Sequence, residues 1–133
     1  MNIYIDCEWN SFGGDLISMA LVSESKLEFY EVLECANPHP WVSKNVMPVL
    51  IKDFITLYRF KWLLKVYLSQ FDSINIVADW PEDIEKFCAA LITGPGERMS
   101  SPPLTMQILK YSYSPKDSLS IMLRNLKLRY LLE

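Results

Sequence analysis

The sequence predicts an α/β fold in which a mixed five-stranded sheet packs against flanking helices. The first third of the chain alternates short segments rich in β-branched and aromatic residues with tight turns, a pattern typical of antiparallel strands. Beyond it, apolar residues recur at helical spacings of three and four, and these segments alternate with short apolar ones. A length of 133 residues is that of one domain, so residues 1–133 are expected to fold as a single unit.

The first three strands are predicted from local composition. Residues 2–6 and 27–33 are rich in β-branched and aromatic types, and Leu16–Ser23 is mostly apolar. Two glycines at 13–14 supply the first turn, and the polar residues 23–26 supply the second. Because both connections are short, the three strands are expected to form an antiparallel meander.

Helical spacing appears between residues 46 and 71, and again after a fourth predicted strand, Ile74–Ala78. The first helix is expected to bury a stripe formed by Ile55, Tyr58, Trp62 and Val66, widened by Leu63, Leu64 and Tyr67. The second helix is expected to bury Ile84, Phe87, Cys88 and Leu91. It should stop at residues 93–96, before a fifth strand over residues 104–109 and a closing helix over residues 117–132.

Composition argues against several classes of protein. A net charge of −3 is not typical of a protein held to nucleic acid by a broad basic face, although carboxylates that bind divalent metals create local positive charge. The longest unbroken apolar run, residues 87–92, is far shorter than the ~20 residues that span a bilayer, so no membrane partner is expected. Cys7, Cys35 and Cys88 form no C-x-x-C pair, which favours a reducing cytoplasm over a disulfide framework.

Asp6 and Glu8, at the end of the first predicted strand, are the first candidate site. Side chains alternate between the faces of a strand, so the two carboxylates should share one face while Cys7 points into the core. Clustered carboxylates repel one another unless cations neutralise them, and hard divalent cations prefer such oxygen ligands. The alternative interpretation is a pair of exposed acids at a strand end.

A second acidic group lies between the fourth strand and the second helix, where an α/β sheet presents its sites. It comprises Asp79, Glu82 and Asp83. The alternative interpretation makes Asp79 the cap of the helix and Glu82 its capping-box partner, with Pro81 in the first turn. Asp83 would then only interact favourably with the helix dipole.

A third group opens the predicted closing helix. Ser114 suits the N-cap, Pro115 the first helical position and Asp117 the acid of a capping box. The hydrophobic staple that accompanies such a cap requires an apolar residue four positions after Ser114, where the chain has Ser118. Tyr113 therefore has no staple partner and is a candidate for a functional role.

The three groups together resemble the motif pattern of the DEDD superfamily of 3′-to-5′ exonucleases. That family has a ribonuclease H-like fold, which matches the predicted order of elements. The segments at 3–6 and 78–84 further resemble the bacterial and phage exoribonuclease branch. The resemblance extends from Ile3 to about Tyr130, nearly the whole chain. The motif residues are Asp6, Glu8, Asp83, Tyr113 and Asp117.

The resemblance implies a metal-dependent exonuclease that degrades single-stranded RNA or DNA from its 3′ end, with RNA favoured, to nucleoside 5′-monophosphates. It implies two divalent ions, Mg²⁺ or Mn²⁺, in a two-metal mechanism. The implied metal ligands are Asp6, Glu8, Asp83 and Asp117. Tyr113 would orient the attacking water, and Asp79 is the reserve ligand if Asp83 serves only the helix.

Four residues beside the acids are candidates for substrate binding: Trp9, Phe12, Asp79 and Trp80. An aromatic ring that stacks on a base contributes ~1–3 kcal/mol of binding free energy. For Trp80 a place in the protein core is an equally good interpretation.

One departure from the family leaves a second function open. The exoribonuclease branch usually carries a His five residues before its last Asp, where this chain has Ser112. The single histidine, His39, lies in a Pro-flanked segment and is expected to have no catalytic role. The alternative function is a catalytically degenerate ribonuclease H-like module that binds nucleic acid or a protein partner. The sequence leaves the oligomeric state open, a homodimer included.

Overall fold

The computed structural model describes residues 1–50 and 52–109, which form an α/β structure with a mixed six-stranded sheet and three α-helices. The strands are β1 (Asn2–Trp9), β2 (Leu16–Ser23), β3 (Glu28–Leu33), β4 (Phe54–Ile55), β5 (Ile74–Ala78), β6 (Ile92–Gly94), β7 (Glu97–Arg98) and β8 (Leu104–Ile108). The helices are α1 (Pro40–Asn45), α2 (Leu57–Leu68) and α3 (Pro81–Leu91). None of these helices is long and apolar enough to cross a membrane.

The sheet has the strand order β4-β3-β2-β1-β5-β8. The antiparallel pairing of β1 with β2 and of β2 with β3 confirms the predicted meander. On the other side of β1, β5 pairs parallel to β1 and β8 pairs parallel to β5. The five predicted strands are therefore present in this sheet, and β4 adds a sixth.

The segment between residues 34 and 57 differs from the prediction of a helix beginning near residue 46. It contains α1, a 3₁₀ turn over Met47–Val49 and strand β4 before α2 begins. Pro40 lies in the first turn of α1, where a missing N–H removes no intrahelical bond. His39 caps that helix, because its Nδ1 accepts a hydrogen bond from the N–H of Trp41 at 3.3 Å.

Helix α2 buries only part of the predicted stripe. Phe60 and Leu64 are fully buried, whereas Tyr58, Trp62 and Val66 are exposed to solvent. The α2 sequence carries two apolar ridges at helical spacing, and spacing alone does not say which one faces the sheet. The predicted burial of Tyr58, Trp62 and Val66 is therefore wrong, and Ile55 lies in β4 rather than in the helix. The predicted burial of Leu64 and Tyr67 is confirmed.

Aromatic packing on β3 explains which ridge is buried. The ring of Phe29 meets the ring of Phe60 edge-on, with centroids 5.6 Å apart, and lies 5.7 Å from the ring of Tyr67. Tyr67 in turn packs edge-on against Phe71 at 5.4 Å. Edge-to-face pairs at these distances are favourable beyond the area that they bury. They fix the rotation of α2 about its own axis.

The main core lies between one face of the sheet and the helices α2 and α3. Ile3, Ile5 and Cys7 point into it from β1, which confirms the predicted core position of Cys7. From α3, Phe87 and Leu91 are buried as predicted, while Ile84 and Cys88 are partly buried. The opposite face carries a smaller cluster formed by Ala20, Val22 and Val77.

Helix α3 ends at Leu91, two residues before the predicted stop. The chain then forms a two-stranded ribbon from β6 and β7, separate from the main sheet. Gly96 in its turn has φ +68°, a conformation that glycine adopts without steric cost. The predicted turn at residues 93–96 is thus confirmed as the tip of this ribbon.

Candidate functional site

Asp6 and Glu8 lie within β1, because the strand extends to Trp9 rather than ending at Asp6 as predicted. Asp6 is opposite Ala20 of β2, and Glu8 is opposite Ser18. Ala20 belongs to the cluster on the face away from α2 and α3, so both carboxylates share that face. The predicted common face of Asp6 and Glu8 is confirmed.

Asp83 reaches the same part of β1 from the first turn of α3. Asp83 is 2% exposed, and its Oδ1 accepts a hydrogen bond from the N–H of Cys7 at 2.9 Å. The pairing of β1 with β5 ends at Tyr4 and Val77, so no strand is available for the Cys7 N–H on that side. A buried N–H without a partner is costly, and the carboxylate of Asp83 provides the acceptor.

The start of α3 corrects the capping interpretation of Asp79 and Glu82. The N-cap residue is Trp80, whose side chain makes no capping hydrogen bond. Glu82 instead accepts a hydrogen bond from the N–H of Gly13 at 3.3 Å and lies 3.9 Å from the Nζ of Lys86. Asp79 precedes the cap, at the carboxyl end of β5, and is partly exposed.

Hydrogen bonds hold the loop between β1 and β2 on two sides. Asn10 donates from Nδ2 to the carbonyl of Asn37 at 2.9 Å and accepts at Oδ1 from the N–H of His39 at 2.7 Å. On the other side, Nζ of Lys86 donates to the carbonyl of Gly14 at 2.5 Å. Sequence reasoning missed Asn10 and Lys86. An Asn before a Gly-Gly turn is a signal for a loop-forming residue, whereas nothing local distinguishes Lys86.

The predicted aromatic residues occupy different environments. Phe12, at the tip of this loop, is 96% exposed, and Trp80 is 49% exposed. Trp9 packs partly against the main core, which makes it a core-packing residue. The Gly13–Glu82 bond ties the loop that carries Phe12 to the first turn of α3, directly after Trp80. Of the three predicted aromatic residues, Phe12 and Trp80 are thus the ones that are exposed to solvent.

A cavity of about 600 Å³ adjoins this loop. Asp15 and Lys86 line it on the side of the loop and α3, and Leu57, Phe60 and Lys61 line it on the side of α2. Most of the remaining lining is apolar, from Leu16, Leu33, Phe54, Ile55, Ala89 and Ala90. The cavity therefore connects the loop beside the candidate site with the beginning of α2.

The donor set suits a hard divalent cation, since Asp6, Glu8 and Asp83 offer carboxylate oxygens. Among residues 1–50 and 52–109, no three His, Cys, Asp or Glu side chains come together as a complete metal site. Tyr113, Asp117 and the predicted helix over 117–132 lie outside the described residues. The described part of the chain thus brings Asp83 to the backbone between Asp6 and Glu8.

Comparison with known proteins gives no family assignment. No family model matches the chain, and the search of curated proteins finds no match. The function is therefore argued from these residues and their geometry.

Proposed function

We propose that this protein is a divalent-metal-dependent nuclease that hydrolyses single-stranded nucleic acid, RNA preferentially, from its 3′ end. The observation that carries the proposal is the hydrogen bond from the Cys7 N–H to Asp83 Oδ1. It joins residues 76 positions apart and brings the third acid of the sequence pattern against the strand that carries the first two. If Asp83 only satisfied the Cys7 N–H, nothing would require that the residues on both sides of Cys7, Asp6 and Glu8, also be acids.

The topology supports a ribonuclease H-like assignment of the sheet. Three antiparallel strands are followed by two strands that run parallel to β1 on its other side. The helices α2 and α3 both contribute to the core on one face of this sheet. This order of strands and helices is the one implied by the sequence resemblance.

The acids, the aromatic residues and Tyr113 have different roles in the proposed nuclease. Asp6, Glu8 and Asp83 would hold Mg²⁺ or Mn²⁺, with Asp117 as the fourth carboxylate of the pattern. The bound ions would lower the pKa of a water and stabilise the leaving 3′-oxygen. Phe12 and Trp80 would stack on bases near the 3′ end, and Tyr113 would orient the water. None of the proposed metal ligands is a cysteine, and Cys7, Cys35 and Cys88 form no disulfide bond.

The test is degradation of a 5′-labelled single-stranded RNA in Mg²⁺ or Mn²⁺. The expected result is a ladder that shortens from the 3′ end, absent in EDTA and in Asp6→Asn. Asp72→Asn is the matched control, because Asp72 is an exposed acid in the turn before β5. It should cleave at the wild-type rate. A DNA strand of the same sequence measures the sugar preference.

Two results would count against the nuclease. Cleavage that survives both EDTA and Asp6→Asn would show that the activity does not belong to this site. RNA binding without any cleavage would favour the degenerate binding module, the alternative left open by Ser112.

A further inference from the structure

Helix α2 presents a ridge of apolar side chains to solvent. Tyr58 is 84% exposed, Trp62 is 54% exposed and Val66 is 43% exposed. Residues four positions apart are neighbours on one side of a helix, so the three side chains form a line along α2. We name this line the α2 ridge. Contiguous exposed apolar groups of this kind mark interaction surfaces.

Basic residues flank the α2 ridge. Arg59, Lys61 and Lys65 lie on α2, which contains no acidic residue, although the chain as a whole has a net charge of −3. At about 3.6 residues per turn, Arg59 falls on one side of the ridge and the two lysines on the other. Neither ion pair found among the described residues involves α2. The helix is therefore a locally cationic surface on an acidic protein.

We infer that the α2 ridge binds the body of a single-stranded nucleic acid, with bases stacked on Tyr58 and Trp62 and phosphates on Arg59 and Lys65. A cationic groove with aromatic rings is the chemistry that holds single strands without sequence preference. Along the helix axis the two rings are attached about 6 Å apart. Bases in one strand of a duplex are spaced about 3.4 Å apart, so stacking on both rings requires an unpaired, extended strand.

The charge and shape of the surface favour this occupant over an anionic membrane. The opposite side of α2 is packed in the main core, through Phe60 and Leu64. Only the narrow α2 ridge could therefore enter a bilayer, whereas membrane-surface helices bury a broad apolar face. Two separated rings with cations on both flanks match alternating bases and phosphates instead.

The cavity beside α2 gives the strand a path to the loop of Phe12. Leu57 and Lys61 of α2 line one side of it, and Asp15 and Lys86 line the side next to the loop of Phe12. A strand that crosses this cavity would connect the α2 ridge with the loop of Phe12, whereas Asp6 and Glu8 lie on the other face of the sheet, beyond that loop. Only the inferred path of the strand from the α2 ridge through the cavity rests on the proposed function. Binding at the α2 ridge does not.

The inference is tested by fluorescence anisotropy with a labelled single-stranded oligouridylate of about 12 nucleotides, in EDTA to prevent cleavage. Tyr58→Ala combined with Trp62→Ala should weaken binding at least tenfold, since each stacked base contributes ~1–3 kcal/mol. Both changes are at exposed helical positions, where alanine is well tolerated. The matched controls are Trp41→Ala and Lys44→Ser, at exposed positions on α1, which should bind like the wild type.

A second measurement, the salt dependence of the affinity, separates phosphate contacts from nonspecific apolar binding. Arg59→Ser and Lys65→Ser should each reduce the slope of log K against log salt concentration by about 0.7, the value for one phosphate contact on a single strand. Unchanged affinity in the Tyr58 and Trp62 double variant would overturn the inference. So would a preference for anionic phosphatidylserine vesicles or an acidic peptide over the oligonucleotide. Loss of cleavage with α2-dependent binding intact would overturn only the proposed nuclease.

Discussion

Asp83 combines a structural contact with a proposed chemical role, and the two can be separated by substitution. Asp83→Ala removes the acceptor of the buried Cys7 N–H and should lower the free energy of unfolding by about 1–3 kcal/mol. Asp83→Asn keeps a side-chain oxygen at that place and should cost less. Both variants should lose cleavage, because neither carries the carboxylate charge. Urea unfolding and the RNA ladder assay measure the two effects, and full activity in Asp83→Asn would contradict the metal-binding role.

Because of Tyr67, the free energy of unfolding should fall at alkaline pH. Its hydroxyl donates to the carbonyl of Leu27 at 2.9 Å, and burial, with a further contribution from Glu28, raises the pKa of Tyr67 above the usual 10.0. The folded state therefore keeps this proton more tightly than the unfolded chain does. Its stabilisation is complete below pH 10 and is lost as the pH rises towards the folded-state pKa.

Tyr67→Phe tests that dependence. The variant should lose about 1 kcal/mol of unfolding free energy at pH 7, because the hydrogen bond to Leu27 is gone. Between pH 10 and pH 11 its stability should fall less steeply than that of the wild type. Urea melts at each pH provide the comparison, and parallel curves would show that Tyr67 titrates normally.

At the scale of elements, the two apolar ridges of α2 should respond differently to truncation. Leu64→Ala removes a fully buried side chain and should cost about 2–5 kcal/mol. Trp62→Ala, on the exposed ridge, should change the unfolding free energy by less than about 0.5 kcal/mol. Thermal melts of the two variants decide between the observed and the predicted orientation of α2. A larger loss in Trp62→Ala would favour the predicted one.

The loop between β1 and β2 requires glycine at one of its two adjacent glycine positions for a packing reason. A Cβ on Gly14 would lie 1.8 Å from the carbonyl oxygen of Asn10, so the backbone must move to accept it. Gly13 has φ +69° with open space around it, and Asn tolerates that conformation.

This difference gives a matched pair of variants. Gly14→Ala should destabilise the protein by about 1–3 kcal/mol, the usual cost of a strained backbone position, and should disturb the presentation of Phe12. Gly13→Asn should remain close to the wild type in both respects. Differential scanning fluorimetry and hydrogen exchange in the loop report the two effects, and equal melting temperatures would contradict this account.

For the whole molecule, the sequence predicts what is encoded locally. Strands β1, β2, β3 and β5 were predicted because alternation, apolar runs and turn residues lie within a few positions of each other. The two-residue strand β4 was missed, since two residues give no periodic signal and the pairing with β3 is made at long range. The exposure of Tyr58, Trp62 and Val66 is not predictable from spacing, because ring contacts with Phe29 choose between two apolar ridges of the same spacing.

The candidate site likewise combines features that local sequence encodes with features that arise only in the folded molecule. The shared face of Asp6 and Glu8 follows from strand geometry and could be predicted. The contact between Asp83 and the Cys7 N–H depends on where β5 stops pairing with β1, which no local pattern specifies. The role of Lys86, which holds the loop at Gly14 across 72 residues of sequence, is likewise a property of the folded molecule.

In the proposed nuclease, Asp6, Glu8 and Asp83 belong to one site for a divalent cation. The most direct test is the change in melting temperature on adding Mn²⁺, compared between the wild type, Asp6→Asn and the control Asp72→Asn. A ligand that binds only the folded state raises its stability, so the wild type and the control should both be stabilised. Asp6→Asn should lose most of that shift. The same Mn²⁺ shift in all three proteins would contradict the account.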